Sequence, residues 1–155
     1  MYVDSAQGLN DITVTDKCIL YISDSRTGKI WRLENNIPVL FPDTVKGVNG
    51  LKAIGNDLYI GAGKNFIKAD KNKTITKIAE LPQSIDGIEP VGNGGFILTS
   101  WAGYIFYVSA NGNVETLLET HLQKKNTADI GYDAKNRIVY VPTFNAKTVA
   151  AYKLN

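Results

Sequence analysis

The sequence predicts an all-β fold, a β-propeller of four-stranded antiparallel blades, because three markers recur in step along its 155 residues. The first is a polar residue opening an apolar run: Asn10-Asp11-Ile12, Asn49-Gly50-Leu51, Asp86-Gly87-Ile88 and Ala128-Asp129-Ile130, spaced by 39, 37 and 42 residues. The second is Leu20-Tyr21-Ile22, Leu58-Tyr59-Ile60, Phe96-Ile97-Leu98 and Val139-Tyr140-Val141, spaced by 38, 38 and 43. The third is Lys29 to Leu33, Asn65 to Ala69, Tyr104 to Val108 and Thr148 to Tyr152. Each alone is an ordinary β pattern, but three kept in register over four units of about 40 residues make a repeat.

The elements follow in order. Unit one, about residues 5–44, turns at Thr15-Asp16-Lys17 and Glu34-Asn35-Asn36, with a fourth strand near 38–41. Unit two, about 45–82, turns at Gly55-Asn56-Asp57 and at Asp70 to Lys73, before a strand at 74–80. Unit three, about 83–123, turns at Gly92 to Gly95 and Asn111-Gly112-Asn113, before a strand at 113–118. These turns are rich in residues that tolerate positive φ. Val114, Leu117, Leu118, His121 and Leu122 have helical spacing, yet register with residues 75–81 favours a strand, with a helical turn confined to 119–123. Unit four, about 124–155, turns at Asp133 to Asn136 and ends after its third strand. Either Tyr2-Val3-Asp4 pairs across the termini and closes a four-bladed ring, or the chain is part of a larger propeller, the reading the shortfall favours. Open end blades would expose apolar faces, and a homo-oligomer is then expected.

Composition narrows the function. With 44% hydrophobic and 21% charged residues the single domain of residues 1–155 is globular, and a net charge of +2 with scattered Lys and Arg offers no footprint for nucleic acid. No apolar run reaches the roughly 18 residues of a transmembrane segment. The single Cys18, at a second-strand start, excludes an internal disulfide framework and is expected to be a buried, inert thiol. Gly61 to Asn65 fails as a phosphate loop, since Leu58 and Asn65 stand where glycine and Ser/Thr are required. The solitary His121 has no partner for metal binding or for a serine nucleophile, and the Asn72-Lys73-Thr74 sequon is of a kind that arises by chance.

In an antiparallel blade the start of the first strand and the end of the second share one end of the ring. The starts bring Asn10, Asn49, Asp86 and Ala128 to the axis, and the second-strand ends bring Arg26, Trp101 and Phe144 to the mouth. Amide oxygens with a carboxylate are hard ligands, suited to Ca²⁺ or Mg²⁺. Against this, Asn49-Gly50 and Asp86-Gly87 also read as simple turn dipeptides, and each aromatic as a packing residue.

Leu9 to Ile12, Val48 to Leu51, Ile85 to Ile88, Leu20 to Asp24 and Gly28 to Leu33 together resemble the gluconolactonase and regucalcin (senescence marker protein) family of six-bladed propellers. Unit four is similar to the C-terminal repeat of its uncharacterised bacterial members. The resemblance implies hydrolysis of a lactone or similar ester, with a divalent metal on Asn49 and Asp86, Ca²⁺ foremost and Mg²⁺, Mn²⁺ or Zn²⁺ as alternatives. It also implies Asp86 as the base on a metal-polarised water and Asn10 as a substrate or metal contact. A periplasmic or secreted location is implied too, although Met1 to Asp4 lacks signal-peptide character. The family's further glutamate ligand has no counterpart, because no Glu precedes Glu34, and Asp129, one residue out of register with Asp86, is expected on the opposite strand face. The alternative function is a non-catalytic module that binds a sugar-like ligand or a protein through Arg26, Trp101 and Phe144.

Overall fold

A computed structural model describes residues 3, 5–35, 37–41 and 44–154. Blade 1 contains β1 (Leu9–Val14), β2 (Leu20–Asp24), β3 (Lys29–Glu34) and β4 (Ile37–Leu40). Blade 2 contains β5 (Val48–Ile54), β6 (Asp57–Ala62), β7 (Asn65–Ala69) and β8 (Ile75–Glu80). Blade 3 contains β9 (Ile88–Gly92), β10 (Gly95–Ser100), β11 (Tyr104–Val108) and β12 (Val114–Glu119), and blade 4 contains β13 (Gly131–Asp133), β14 (Ile138–Pro142) and β15 (Val149–Lys153). Every sheet is antiparallel and pairs its strands in chain order. The chain is therefore the expected all-β propeller of four blades, arranged about one axis on which Asp11, Leu51, Ile88 and Asp129 converge.

The contested stretch of unit three is strand β12, and the helical spacing survives only as a 3₁₀ turn at His121–Gln123. Blade 4 has three strands among the described residues. The closing-strand expectation falls on Tyr2 and Asp4, outside those residues, and Val3 belongs to no strand. Cys18 corrects its expectation: it is exposed and adopts φ 59° in the turn where its N–H donates to Thr15 O at 2.9 Å. The strand begins two residues later, at Leu20, so the thiol never enters the sheet.

The blades cohere through apolar side chains held face to face. Tyr21, Ile30 and Phe41 of blade 1 meet Leu51, Leu58 and Ile60 of blade 2. Phe66 and Ala79 then meet Ile88, Phe96 and Leu98, with the Phe96 ring 4.7 Å from Tyr59 and 5.0 Å from Phe66. Ile97 and Ile105 meet Val139 and Val141. No such cluster joins blade 4 to blade 1 among the described residues. Buried side chains of this size contribute about 1.5–3 kcal/mol each, so the three filled junctions carry most of the stability.

Near the axis the packing is closer still. A Cβ on Gly50 would run into the Asp86 carbonyl oxygen, and one on Gly87 would lie 2.9 Å from Ile130 N and 3.0 Å from Asp129 Cα. Neither glycine has a positive φ, so the role is close approach between blades and not turn geometry. Between blades 1 and 2 polar bridges hold the approach, for Leu51 N–H donates to Asp11 Oδ2 at 2.6 Å and Ala53 N–H to Thr13 Oγ1 at 3.0 Å.

Gly50→Ala must therefore push blades 2 and 3 apart. Chemical denaturation should show a loss of about 3 kcal/mol or more, whereas Gly55→Ala, at φ 59° with no atom near its Cβ, should show the smaller loss of a strained turn.

Candidate functional site

The blade ends converge on a cavity of about 420 Å³ at the mouth of the axis, lined by Asn10, Asn49, Asp86, Trp101, Ala128, Asp129, Pro142 and Phe144. Six of the seven residues expected at the axis and its mouth thus share one cavity. Asn10 lies on β1 and Asn49 on β5, each within a register irregularity of the inner pair, between Leu9 and Ile12 and between Val48 and Leu51. Such bulges tilt neighbouring side chains off the strict alternation of a flat strand.

Arg26 is not among the lining residues. Its stem lies over Gly8, and its N–H is one of four that donate to the buried Asp24 carboxylate, with those of Gln7, Gly8 and Thr27, at 2.9–3.2 Å. Burial opposes ionisation of Asp24, but these donors prevail and hold its pKa below the usual carboxylate range. Arg26 is thus tied into a turn anchored from below.

Trp101 and Phe144 stand edge to face with ring centroids 4.7 Å apart, and both are exposed. Trp101 follows β10, and Phe144 opens a 3₁₀ turn at Phe144–Ala146 with a strained φ of 30°. The Asn126 amide donates to Trp101 O at 2.8 Å, and its oxygen accepts Asn145 N–H at 3.4 Å, which ties both aromatic loops together. The pair makes an open apolar wall beside the polar axis.

Asp86 is buried, and that burial, followed by the charge of Asp129, pushes its pKa up to about 6. Asn49 donates a hydrogen bond to it and Asp11 repels it, in opposite senses. Asp11 is also pushed up to about 6, first by burial and then by Asp129, against the Leu51 N–H that stabilises its anion. Burial raises Asp129 as well. The expectation that Asp129 turns away from Asp86 is therefore corrected: it lines the mouth with Asp86 and the axial channel with Asp11, because it precedes β13 and is not bound by the pleat of that strand. Asp11 went unmarked because two of its three repeat counterparts, Gly50 and Gly87, are glycines, and its one sequence signal is that the third is Asp129.

For a cation, the chemistry of the donors is specific. Asn49 Oδ1 is buried without a hydrogen-bond partner among the described residues, next to Asp86. Those residues contain no group of three His, Cys, Asp or Glu side chains arranged to hold a metal. A second cavity of about 600 Å³, between blades 3 and 4 at the opposite end of the strands, is lined mainly by core residues such as Ile97, Leu118, Val139 and Tyr152 and brings no carboxylate together.

No protein-family model and no curated protein matches the sequence. Among solved structures, a streptogramin B lyase superposes with a TM-score of 0.72 at 18% identity, covering 99% of this chain and 57% of that one. A catalytically inactive virginiamycin B lyase from Staphylococcus aureus with quinupristin gives 0.70 at 16%, covering 99% and 58%. The computationally designed Ika4 protein gives 0.68 at 12%, covering 99% and 96%. The chain thus spans little more than half of the lyases it resembles and nearly all of the designed protein, and the likeness at these identities is one of β-propeller fold.

Carboxyls with raised pKa values bind protons more tightly in the folded than in the unfolded chain. The contribution of Asp11 and Asp86 is therefore full below the unfolded value of 3.8 and is lost as pH rises through about 6. Carboxyl-detected NMR should find Asp86 titrating near 6, and Asp129→Asn should move it down. A midpoint near 4 in the unaltered chain would contradict a coupled cluster.

Proposed function

We propose that this propeller acts on a small cyclic molecule at the axial mouth, as a hydrolase or lyase in which Asp86 accepts a proton. One observation carries the reading: a buried carboxylate with its pKa near 6 shares a cavity with an exposed aromatic pair. The aromatic wall offers a flat apolar surface to a ring, and Asn10 and Asn49 offer amide groups to its oxygens. A base of pKa near 6 is mostly ionised at neutral pH and remains basic enough to take a proton from water or from carbon. Resemblance to the gluconolactonase type makes a lactone or similar ester the first substrate class to try, and the lyase neighbours support elimination as the other use of the same base.

A divalent cation, Ca²⁺ foremost, belongs to this proposal. Asn49 Oδ1 and Asp86 would hold it, and it would supply polarisation of a carbonyl oxygen. Two protein oxygens leave most of the coordination sphere to water and ligand, so weak binding, with Kd of roughly 10⁻⁴–10⁻³ M, is expected. The thinness of that donor set also favours a second reading, non-catalytic binding of a sugar-like ligand against Trp101 and Phe144.

A panel of lactones and sugar acids, assayed for turnover and for heat of binding with and without chelator, separates these readings. Turnover should rise with pH through about 6. It should fall by about 10²–10⁴-fold in Asp86→Asn, while Trp101→Ala should raise KM about tenfold with less effect on kcat. Binding without turnover identifies the module, and no binding at all defeats both. Calorimetry with Ca²⁺ alone should give heat that Asp86→Ala abolishes.

A further inference from the structure

The repeat supplies its own control for burial. Ile12 occupies the position of Leu51 and Ile88, which are 3% and 5% exposed, yet it is 57% exposed. At the other end Val149 occupies the position of Ile30, Phe66 and Ile105, at 0%, 0% and 5%, and is 66% exposed. Tyr140, in the place of Tyr21 and Ile97 at 8% and 1%, is 42% exposed. Residue type does not explain the contrast, because the exposed set is as apolar as the buried one. The neighbour explains it: Leu51 and Ile88 pack on the blade before them, and Ile30, Phe66 and Ile105 on the blade after. Ile22 and Leu33, on the same face of blade 1 as Ile12, are buried, so the open part of that face is the half beside the axis, with Ile12 and Val14.

We propose that the chain pairs with a second copy of itself, blade 4 of each copy packing on blade 1 of the other. The argument is continuity. Among the described residues no apolar cluster joins blade 4 to blade 1, whereas three such junctions are built internally, and the chain exposes apolar side chains on both sides of that place, Ile12 and Val14 on blade 1 and Tyr140 and Val149 on blade 4. A blade-4 face fits a blade-1 face and not another blade-4 face, so the contact is head to tail and repeats until the ring closes. Two copies of a four-bladed chain give eight blades, inside the usual range of about 4–8 for propellers, whereas three copies would exceed it. The second copy also covers Val14, Tyr140 and Val149, an apolar exposure unusual for a monomer.

Sedimentation equilibrium should return about twice the 17.0 kDa of one chain. Val149→Asp and Ile12→Asp should each raise the dimer dissociation constant by about 100-fold or more, while circular dichroism and Tm of the monomer stay unchanged because both positions are exposed. An equimolar mixture of the two variants should recover dimer in part, since one junction then joins two unaltered faces, a result that only head-to-tail packing gives. A unaltered chain that remains monomeric, or a dimer that survives both substitutions, would overturn the proposal.

Discussion

Everything in this molecule depends on a blade being unable to bury its own faces. Each antiparallel sheet presents apolar side chains on both sides, and only a neighbouring blade removes them from water. The inner strands must consequently come very close, and at Gly50 and Gly87 they do so where a single Cβ would block the approach. Leu51 N–H on Asp11 and Ala53 N–H on Thr13 then fix the rotation of one blade on the next.

That same convergence makes the candidate site. Residues opening the inner strands are carried to the axis whatever their chemistry, so Asp11, Asp86 and Asp129 are placed near one another, Asp86 buried and the other two partly desolvated. Desolvation and mutual repulsion both favour the protonated form, and the amide of Asn49 offsets only part of this at Asp86. The outer ends of the same blades turn through loops, and two of them set Trp101 against Phe144. A polar axis beside an aromatic wall follows from the architecture once those residue types occupy those repeat positions.

Much of this was legible in the sequence because register across units is a stronger signal than any local pattern. It identified the strands, overrode the helical spacing before His121, and put Asn10, Asn49, Asp86, Trp101 and Phe144 at one mouth. What it missed has local causes. Asp129 lies ahead of its strand, where alternation does not apply, and Asn10 and Asp11 sit in a bulge that lets adjacent residues serve the mouth and the channel. Arg26 has the right repeat position, but the Asp24 carboxylate captures its backbone and holds the residue over Gly8. Cys18 fell on the wrong side of a strand boundary by two residues. Closure of the ring was the least legible feature, since repeat patterns report what each blade offers and not what covers the last face.

The central claim is that the axial mouth is where a ligand is received. Crystals soaked with a mixture of small lactones, sugar acids and cyclic esters test it most directly. Ligand density lying against Trp101 and Phe144 with a polar atom within hydrogen-bonding reach of Asp86 is the predicted result. Density only in the cavity between blades 3 and 4, or none at the mouth at saturating concentrations, would contradict it.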